Sequence, residues 1–166
     1  MLRKLESKDI SNMIEWMHDP LVYCNFRVNF KDMTEQDAQN FIDTSFDDNN
    51  QHFAFTDAKD NYLGTVSLKN ISTRDKNAEY AIVTRRNYQG TGAAFKATIE
   101  VLNYAFEDLD LQRVYLNVLE DNERANKFYE KVGFSYEGKF IKHLYFQEEK
   151  ELGGGGIQKS KLVCNA

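Results

Sequence analysis

Residues 78–100 read AEYAIVTRRNYQGTGAAFKATIE and contain the most informative pattern in the sequence. Its beginning, residues 78–84, is rich in β-branched and aromatic side chains and predicts a strand. The loop that follows, residues 85–92, contains two glycines at positions 90 and 92. Helical spacing then predicts a long helix. The apolar positions of that helix are Phe95, Ile99, Leu102, Phe106 and Leu109.

A strand, a glycine-containing loop and a helix in this order favour binding of phosphate. The first N–H groups of the helix lack intrahelical acceptors, and the helix dipole is positive at that end. Gly90 and Gly92 let the main chain approach an anion closely, because they carry no Cβ atom. A helix end contributes only about 0.3–1 kcal/mol per negative charge, so a polyphosphate also needs cations. The candidate cations are Arg85, Arg86 and Lys96.

A short Gly-x-Gly is equally typical of a tight turn between a strand and a helix, and by itself leaves both interpretations open. The pattern GxxxxGK[ST] of a P-loop is absent from the sequence. No strand precedes the loop near the chain start with an acidic residue about 20 positions later, as a dinucleotide fold would require.

The N-terminal part of the chain predicts two helices and a hairpin. Ser7 can cap a helix with Ile10, Met13, Ile14 and Met17 on one face, which Pro20 then ends. Thr34 and Asp37 have the spacing of a capping box and predict a second helix whose buried stripe is Ala38, Phe41, Ile42 and Ser45 or Phe46. Residues 53–56 and 62–68 flank a turn-rich segment and predict two antiparallel strands.

The C-terminal part predicts a strand at residues 113–119, parallel to the strand at 78–84. Asn122 can cap a short helix that Gly133 closes, with Ala125, Phe128, Tyr129 and Val132 on its apolar face. Residues 134–141 and 144–147 predict a final hairpin. The fold class is therefore α/β, or α+β, with helices on both faces of the sheet.

Composition excludes several classes of protein. The 166 residues carry 21 basic and 26 acidic side chains, a net charge of −5, which argues against a nucleic-acid partner. No apolar stretch approaches the roughly 20 residues of a membrane span, and the first residues lack the apolar core of a signal peptide, so we expect a cytoplasmic protein. Cys24 and Cys164 are far apart and the histidines are scattered, so neither a disulfide scaffold nor a metal site is predicted.

Two further segments sharpen the interpretation. Gln89-x-x-Gly92-x-Ala94 resembles the pyrophosphate signature of the GNAT acyltransferase superfamily. Asn122-x-x-Ala125-x-x-x-Tyr129-x-x-x-Gly133-Phe134 resembles its second signature. The resemblance covers about residues 1–147 and points to the branch of ribosomal-protein and nucleotide-linked amino-sugar N-acetyltransferases. It implies one GNAT-like domain over residues 1–147, with a mixed, mostly antiparallel sheet of about six to seven strands splayed in the middle.

The resemblance also implies roles for individual residues. Acetyl-CoA would be the co-substrate, and Tyr129 would protonate the departing CoA thiolate, although its ring could instead serve core packing. Asn122 would contact the cofactor or simply cap its helix. Glu79 would act as the general base, or would be an ordinary residue of its strand. The remaining cofactor-binding residues would be Val83, Thr84, Arg85, Gln89, Gly90, Thr91, Gly92, Ala93 and Ala94.

The sequence indicates the acceptor less clearly than the cofactor. In this fold it would lie between residues 23–30 and the last strands, with Phe26, Arg27 and Tyr145 as candidate contacts, although the loop residues could equally be packing residues. These segments resemble those of acetyltransferases that act on nucleotide-linked amino sugars, which favours such a sugar as the acceptor. A protein N-terminal acetyltransferase and a non-catalytic acyl-CoA-binding module stay open as alternatives, and the protein would be a monomer or homodimer.

One segment departs from the family pattern. Residues 148–166 include four consecutive glycines, Gly153 to Gly156, which neither a packed strand nor a helix favours. This tail would either form a final strand or be disordered.

Overall fold

A computed structural model describes residues 1–147 and 156–166, and gives side chains for all of these except residues 145–147 and 156–161. The chain divides into two compact units, Met1–Val114 and Tyr115–Ala166. The strands are β1 (Leu2–Lys4), β2 (Gln51–Thr56), β3 (Tyr62–Ser72), β4 (Asn77–Thr84), β5 (Arg113–Leu119), β6 (Ser135–Gln147) and β7 (Gly156–Asn165). The α-helices are α1 (Ile10–Met17), α2 (Pro20–Tyr23), α3 (Glu35–Asp43), α4 (Ala93–Asn103) and α5 (Glu123–Val132).

In the first unit, β1 to β4 pair in sequence order, and every pair is antiparallel. The hairpin predicted around the turn at residues 57–61 is confirmed as β2 and β3. The two predicted N-terminal helices are also confirmed. The capping box of α3 forms as expected, because the Thr34 side chain accepts from the Asp37 N–H and the Asp37 carboxylate accepts from the Thr34 N–H.

Helices α1 and α3 cover one face of this sheet. Trp16 of α1 donates from Nε1 to the Tyr62 hydroxyl at 3.0 Å. Phe41 of α3 lies against His52 of β2, with 4.7 Å between ring centroids. The core cluster on this face contains Leu5, Met13, Trp16, Met17, Val22, Ala38, Ala54 and Tyr62.

Helix α4 covers the opposite face, so the prediction of helices on both faces is confirmed within this unit. Tyr80 and Thr98, both fully buried, join their hydroxyl oxygens at 2.8 Å. The predicted apolar stripe of α4 is confirmed at Leu102, which is buried, and was wrong at Phe106, which is 36% exposed, because smaller side chains make the close approach to the sheet. The helix also ends earlier and continues as a π-helical turn, Tyr104–Asp108. The buried residues are Ala97, Thr98, Val101, Leu102 and Ala105.

Two details of the first helix differ from expectation. Ser7 is not its cap, since residues Ser7–Asp9 form a 3₁₀ turn with the capping box on Glu6 and Asp9. Pro20 does not end α1 but begins α2, where its fixed φ suits the first helical position and Asp19 accepts from the Leu21 N–H.

Gly64 holds β2, β3 and β4 close together. It pairs with Phe55 on one side and Thr84 on the other. A Cβ atom at this position would lie 2.2 Å from the Val83 carbonyl oxygen and 2.5 Å from the Phe55 ring. Neither contact is tolerable, and a backbone atom cannot move away as a flexible side chain could.

We therefore expect Gly64→Ala to destabilise the protein by about 3 kcal/mol, at the upper end of overpacking changes. That loss would lower Tm by roughly 6–12 °C for a chain of this size. Gly138→Ala is the matched control, because a Cβ atom there meets no other atom within 4 Å. Thermal unfolding followed by circular dichroism measures both, and equal Tm values for the two variants would contradict the expectation.

The second unit has the strand order β5-β7-β6, with both pairings antiparallel. The predicted strand at residues 113–119 is confirmed. The predicted hairpin at residues 134–147 was wrong, because this segment is the single strand β6 with a register shift between Phe140 and Leu144. Lys142, at φ +47°, lies within that irregularity.

The described part of the tail contains the strand β7. Leu162 pairs with Val118 of β5 and with Lys139 of β6, which places β7 between them. Of the four-glycine run, Gly156 begins β7, and Gly153 to Gly155 lie outside the described residues. Helix α5 precedes β6 and ends at Gly133, whose φ of +109° is left-handed as predicted.

Candidate functional site

The loop between β4 and α4 has the backbone geometry of an anion site. Gly90 has φ +79° and Gly92 has φ +86°, a conformation that other residues rarely adopt. Gly92 is the N-cap of α4 and supplies no side chain to the first N–H groups of the helix. A Cβ atom at either glycine would meet nothing within 4 Å, so open space lies in front of the backbone.

Neighbouring side chains brace this loop. Gln89 donates from Nε2 to the Thr84 carbonyl at 3.1 Å, and the Thr91 hydroxyl donates to the Tyr88 carbonyl at 2.7 Å. Ala93 and Ala94 form the first turn of α4 and are partly buried. Thr84 ends β4 beside the loop, and these contacts hold the loop backbone in position. The Thr91 hydroxyl also accepts from the Ala93 N–H at 3.4 Å.

The three candidate cations have different surroundings. The Arg85 side chain is only 13% exposed and forms an ion pair with Glu15 of α1. Arg86 and Lys96 are exposed, and within the described part of the chain neither forms an ion pair. The latter two are therefore the cations that an incoming anion can meet without displacing a protein carboxylate.

Glu79 lies on β4 and is engaged by two side chains of β3. Its Oε1 accepts from the Lys69 ammonium at 3.2 Å and its Oε2 accepts from the Asn70 amide at 3.1 Å. The carboxylate is 21% exposed. Val83, on the same face of β4, packs against the core cluster beneath α1 and α3.

In the second unit, Asn122 caps α5 by accepting from the Ala125 N–H at 3.2 Å. This contact accounts for the residue without any ligand, and it is one of the two roles that the sequence left open. A direct contact between Asn122 and a cofactor stays a prediction.

Tyr129 of α5 lines a cavity of about 360 Å³. Its ring lies 5.7 Å from that of Phe134, edge to face. Burial, with a smaller effect of the nearby Cys164, raises the pKa of the Tyr129 hydroxyl well above its usual value. The phenol is therefore fully protonated at physiological pH. The other lining residues are Glu120, Asn126, Glu130, Tyr136, Lys139 and Leu162.

The residues predicted to contact the acceptor belong to both units. Phe26 packs edge to face on Phe30, with 5.4 Å between centroids, while Arg27 is exposed. Phe30 in turn contacts Trp16, so the ring of Phe26 extends the core packing. Tyr145 belongs to β6, and its side chain lies outside those described. The splaying of the sheet in its middle, which the family resemblance implies, stays a prediction.

Sequence reasoning missed two contacts around the candidate site. Glu15 was not predicted, because it lies 70 positions from its partner Arg85 and no local pattern marks the pair. Cys164 was treated as an isolated thiol, whereas it is buried in the cavity that Tyr129 lines. Both cysteines are free, as expected.

Residues 1–147 and 156–166 contain no cluster of three or more side chains able to ligate a metal ion. None of their helices combines the length and the apolar character that crossing a membrane demands.

Comparison with known proteins identifies the family. Residues 1–135 match the family model described as an acetyltransferase (GNAT) domain. Spermidine N(1)-acetyltransferase of Vibrio cholerae is 32% identical over 110 residues, which is 64% of each chain. The Escherichia coli K12 protein of the same name is 39% identical over 83 residues, 50% of this chain and 44% of that one. The chain therefore matches less than two thirds of the length of these relatives.

The fold is shared with a solved structure. A crystal structure of spermidine N-acetyltransferase from Vibrio cholerae in complex with CoA and spermine superposes with a TM-score of 0.86. It covers 100% of this chain and 94% of the other, at 23% identity. This likeness confirms the predicted α/β fold class with seven strands.

Proposed function

The chain belongs to the GNAT acetyltransferase family, and from that premise we propose that it transfers the acetyl group of acetyl-CoA to a primary amine by direct attack. The observation that carries this proposal is the N-terminus of α4, which follows two left-handed glycines and whose N-cap residue, Gly92, has no side chain. The backbone of residues 89–94 would donate hydrogen bonds to the CoA pyrophosphate, and Arg86 and Lys96 would add positive charge.

In the transfer step, the amine nitrogen attacks the acetyl carbonyl carbon, and the carbon–sulfur bond of the thioester breaks. Backbone N–H groups near the carbonyl stabilise the oxyanion, and Tyr129 donates its proton to the CoA sulfur. An unperturbed phenol is a weaker acid than a thiol by an amount equivalent to about 2 kcal/mol. Burial of Tyr129 increases that difference, so its proton moves only as charge develops on sulfur.

Glu79 is the proposed base, and its present partners set a condition on that role. To accept a proton from the amine, directly or through water, its carboxylate must exchange a hydrogen bond with Lys69 or Asn70. How strong a base the reaction needs depends on the pKa of the acceptor amine. An amine with pKa near 10.4 costs roughly 4–5 kcal/mol to deprotonate at neutral pH, whereas an α-amine near 7.8 costs about 1 kcal/mol.

We propose an aliphatic polyamine as the acceptor. Residues 34–58 contain six acidic side chains and no lysine or arginine. Three of these acids, Glu35, Asp37 and Asp43, are exposed on α3 and produce a negative field that attracts a polycation. The spermidine acetyltransferases among the relatives support the same class of acceptor.

A nucleotide-linked amino sugar is the second candidate. It is favoured by Arg27, which is exposed next to an aromatic side chain and could pair with a phosphate. Transfer to such a sugar amine would also depend less on Glu79 as a base. The acidic surface of α3 counts against this candidate, because it repels an anionic nucleotide.

The test is release of CoA thiol from acetyl-CoA with spermidine, spermine, a UDP-linked amino sugar and a short peptide with a free N-terminus. We expect kcat/KM to be at least tenfold higher for the polyamines. We also expect it to fall as ionic strength rises, because screening weakens the attraction of a polycation. For a polyamine, kcat/KM should increase with pH above 7 as more free amine becomes available.

A pair of double variants tests the role of the acidic side chains on α3 against removal of equal charge elsewhere. Glu35→Gln with Asp43→Asn should raise KM for spermine, whereas Glu107→Gln with Asp108→Asn, on the exposed turn after α4, should not. Turnover of the amino sugar alone would establish the second candidate. Thermal stabilisation by acetyl-CoA without turnover of any amine would favour the binding module instead.

A further inference from the structure

Arg85 lies at the junction between β4 and the anion loop, and each of the three nitrogens of its guanidinium donates one hydrogen bond. Nε donates to Glu15 Oε1 at 3.2 Å and Nη2 donates to Glu15 Oε2 at 2.5 Å. Nη1 donates to the Tyr62 carbonyl oxygen at 3.0 Å. The guanidinium carbon also lies 5.3 Å from the centroid of the Tyr88 ring.

This arrangement differs from that of a phosphate ligand. Both carboxylate oxygens of Glu15 occupy the fork with which arginine recognises carboxylate or phosphate. An anion could take that position only by expelling Glu15 and leaving its charge unpaired. Arg86 and Lys96 present no such obstacle.

A continuous series of hydrogen bonds leads from Arg85 into the loop. Its backbone N–H donates to the Leu63 carbonyl at 2.9 Å, and its own carbonyl accepts from the Tyr88 N–H at 2.9 Å. The Tyr88 carbonyl accepts from the Thr91 hydroxyl, next to Gly92. Glu15 therefore connects α1 to the backbone that precedes the N-terminus of α4.

We propose that Glu15 and Arg85 form a positioning pair, which holds the anion loop in the conformation that receives the CoA pyrophosphate, and that Arg85 is not itself a phosphate ligand. This inference rests on the proposed function, because it takes the loop to be the pyrophosphate site. It assigns Glu15 a role in cofactor affinity although α1 carries none of the residues that the family resemblance implicates.

Glu15→Gln distinguishes the two roles of Arg85 by the sign of its effect. A positioning pair predicts weaker binding, with the Kd for acetyl-CoA rising roughly 3–10-fold, because the loop loses a charge-assisted anchor. A phosphate ligand predicts unchanged or tighter binding, because removing the Glu15 charge would free the guanidinium. Isothermal titration calorimetry measures Kd, and Glu107→Gln is the control.

Arg85→Lys provides a second, independent variant. Lysine keeps the charge and could still reach a phosphate, but it cannot reproduce the two-pronged contact with Glu15. We expect its Kd to rise as for Glu15→Gln. The double variant should be no worse than the weaker-binding single one, because both remove the same interaction.

S-acetylpantetheine, which lacks the pyrophosphate, separates positioning from general destabilisation. The rise in KM caused by Glu15→Gln should appear with acetyl-CoA and be absent with S-acetylpantetheine, whereas kcat should stay within about twofold. Equal effects on both acyl donors, or no effect on either, would overturn the inference alone. Failure of the wild-type protein to bind acetyl-CoA would overturn the proposed function, and the inference with it.

Discussion

Replacing Tyr129 with phenylalanine is expected to lower kcat by about 100- to 10,000-fold, the usual range for loss of a general acid. KM for acetyl-CoA should change little, because the hydroxyl acts on sulfur only as the thioester breaks. The ring of Tyr129 packs on Phe134, and phenylalanine keeps that contact. A loss of activity would therefore report the missing proton rather than a repacked cavity.

Tyr136→Phe is the matched control for this experiment. Tyr136 lines the same cavity and loses the same hydroxyl group, but it is 61% exposed and has no assigned role. Steady-state rates of CoA thiol release, together with Tm, compare the two variants. A higher KM with unchanged kcat in Tyr129→Phe would make Tyr129 a binding residue, and an unchanged rate would remove it from the mechanism.

Gly92→Glu should weaken acetyl-CoA binding by at least about 100-fold. Two unit charges 4 Å apart near a protein surface interact by about 4 kcal/mol, so a carboxylate placed beside the pyrophosphate strongly opposes binding. The new side chain would also impose a Cβ atom at φ +86°. That φ strains the backbone, but the new Cβ atom would meet no neighbouring atom within 4 Å.

Gly92→Gln separates charge from shape, because glutamine has nearly the same size as glutamate. We expect it to weaken binding by about tenfold, with the remainder of the effect belonging to the charge. Isothermal titration calorimetry gives Kd, and Tm shows whether each variant is folded. Equal Kd values for Gly92→Glu and the wild-type protein would mean that the anion does not bind at this helix end.

Local patterns predicted the parts of this structure that local physics determines. The capping box of α3 and the glycine that closes α5 each depend on a few consecutive residues, and both were predicted. The prediction of a hairpin at residues 134–147 was wrong because Lys142 lies in an irregularity within one continuous strand. The sequence pattern does not distinguish such an irregularity from a turn. The apolar stripe of α4 was predicted correctly at Leu102 but not at Phe106, because smaller side chains such as Ala97 and Thr98 make the close approach to the sheet.

The candidate site was likewise predictable only where consecutive residues determine its structure. The loop at residues 89–94 was predictable from its glycines, since positive φ has a direct signature in sequence. The surroundings of Arg85 were not predictable, because a pair 70 positions apart leaves no periodic signal. Arg85 therefore looked like a free cation in the sequence, and only its partners in the folded chain show otherwise.

The position of β7 between β5 and β6 has a consequence for how the protein is made. On the ribosome, β5 and β6 are synthesised first, yet each uses β7 as its hydrogen-bonding partner. Until residues 156–165 emerge from the exit tunnel, both strands have unpaired backbone groups. Nascent chains paused before that point should therefore be protected by chaperones or cleaved by proteases within the second unit, even where the first unit has already folded.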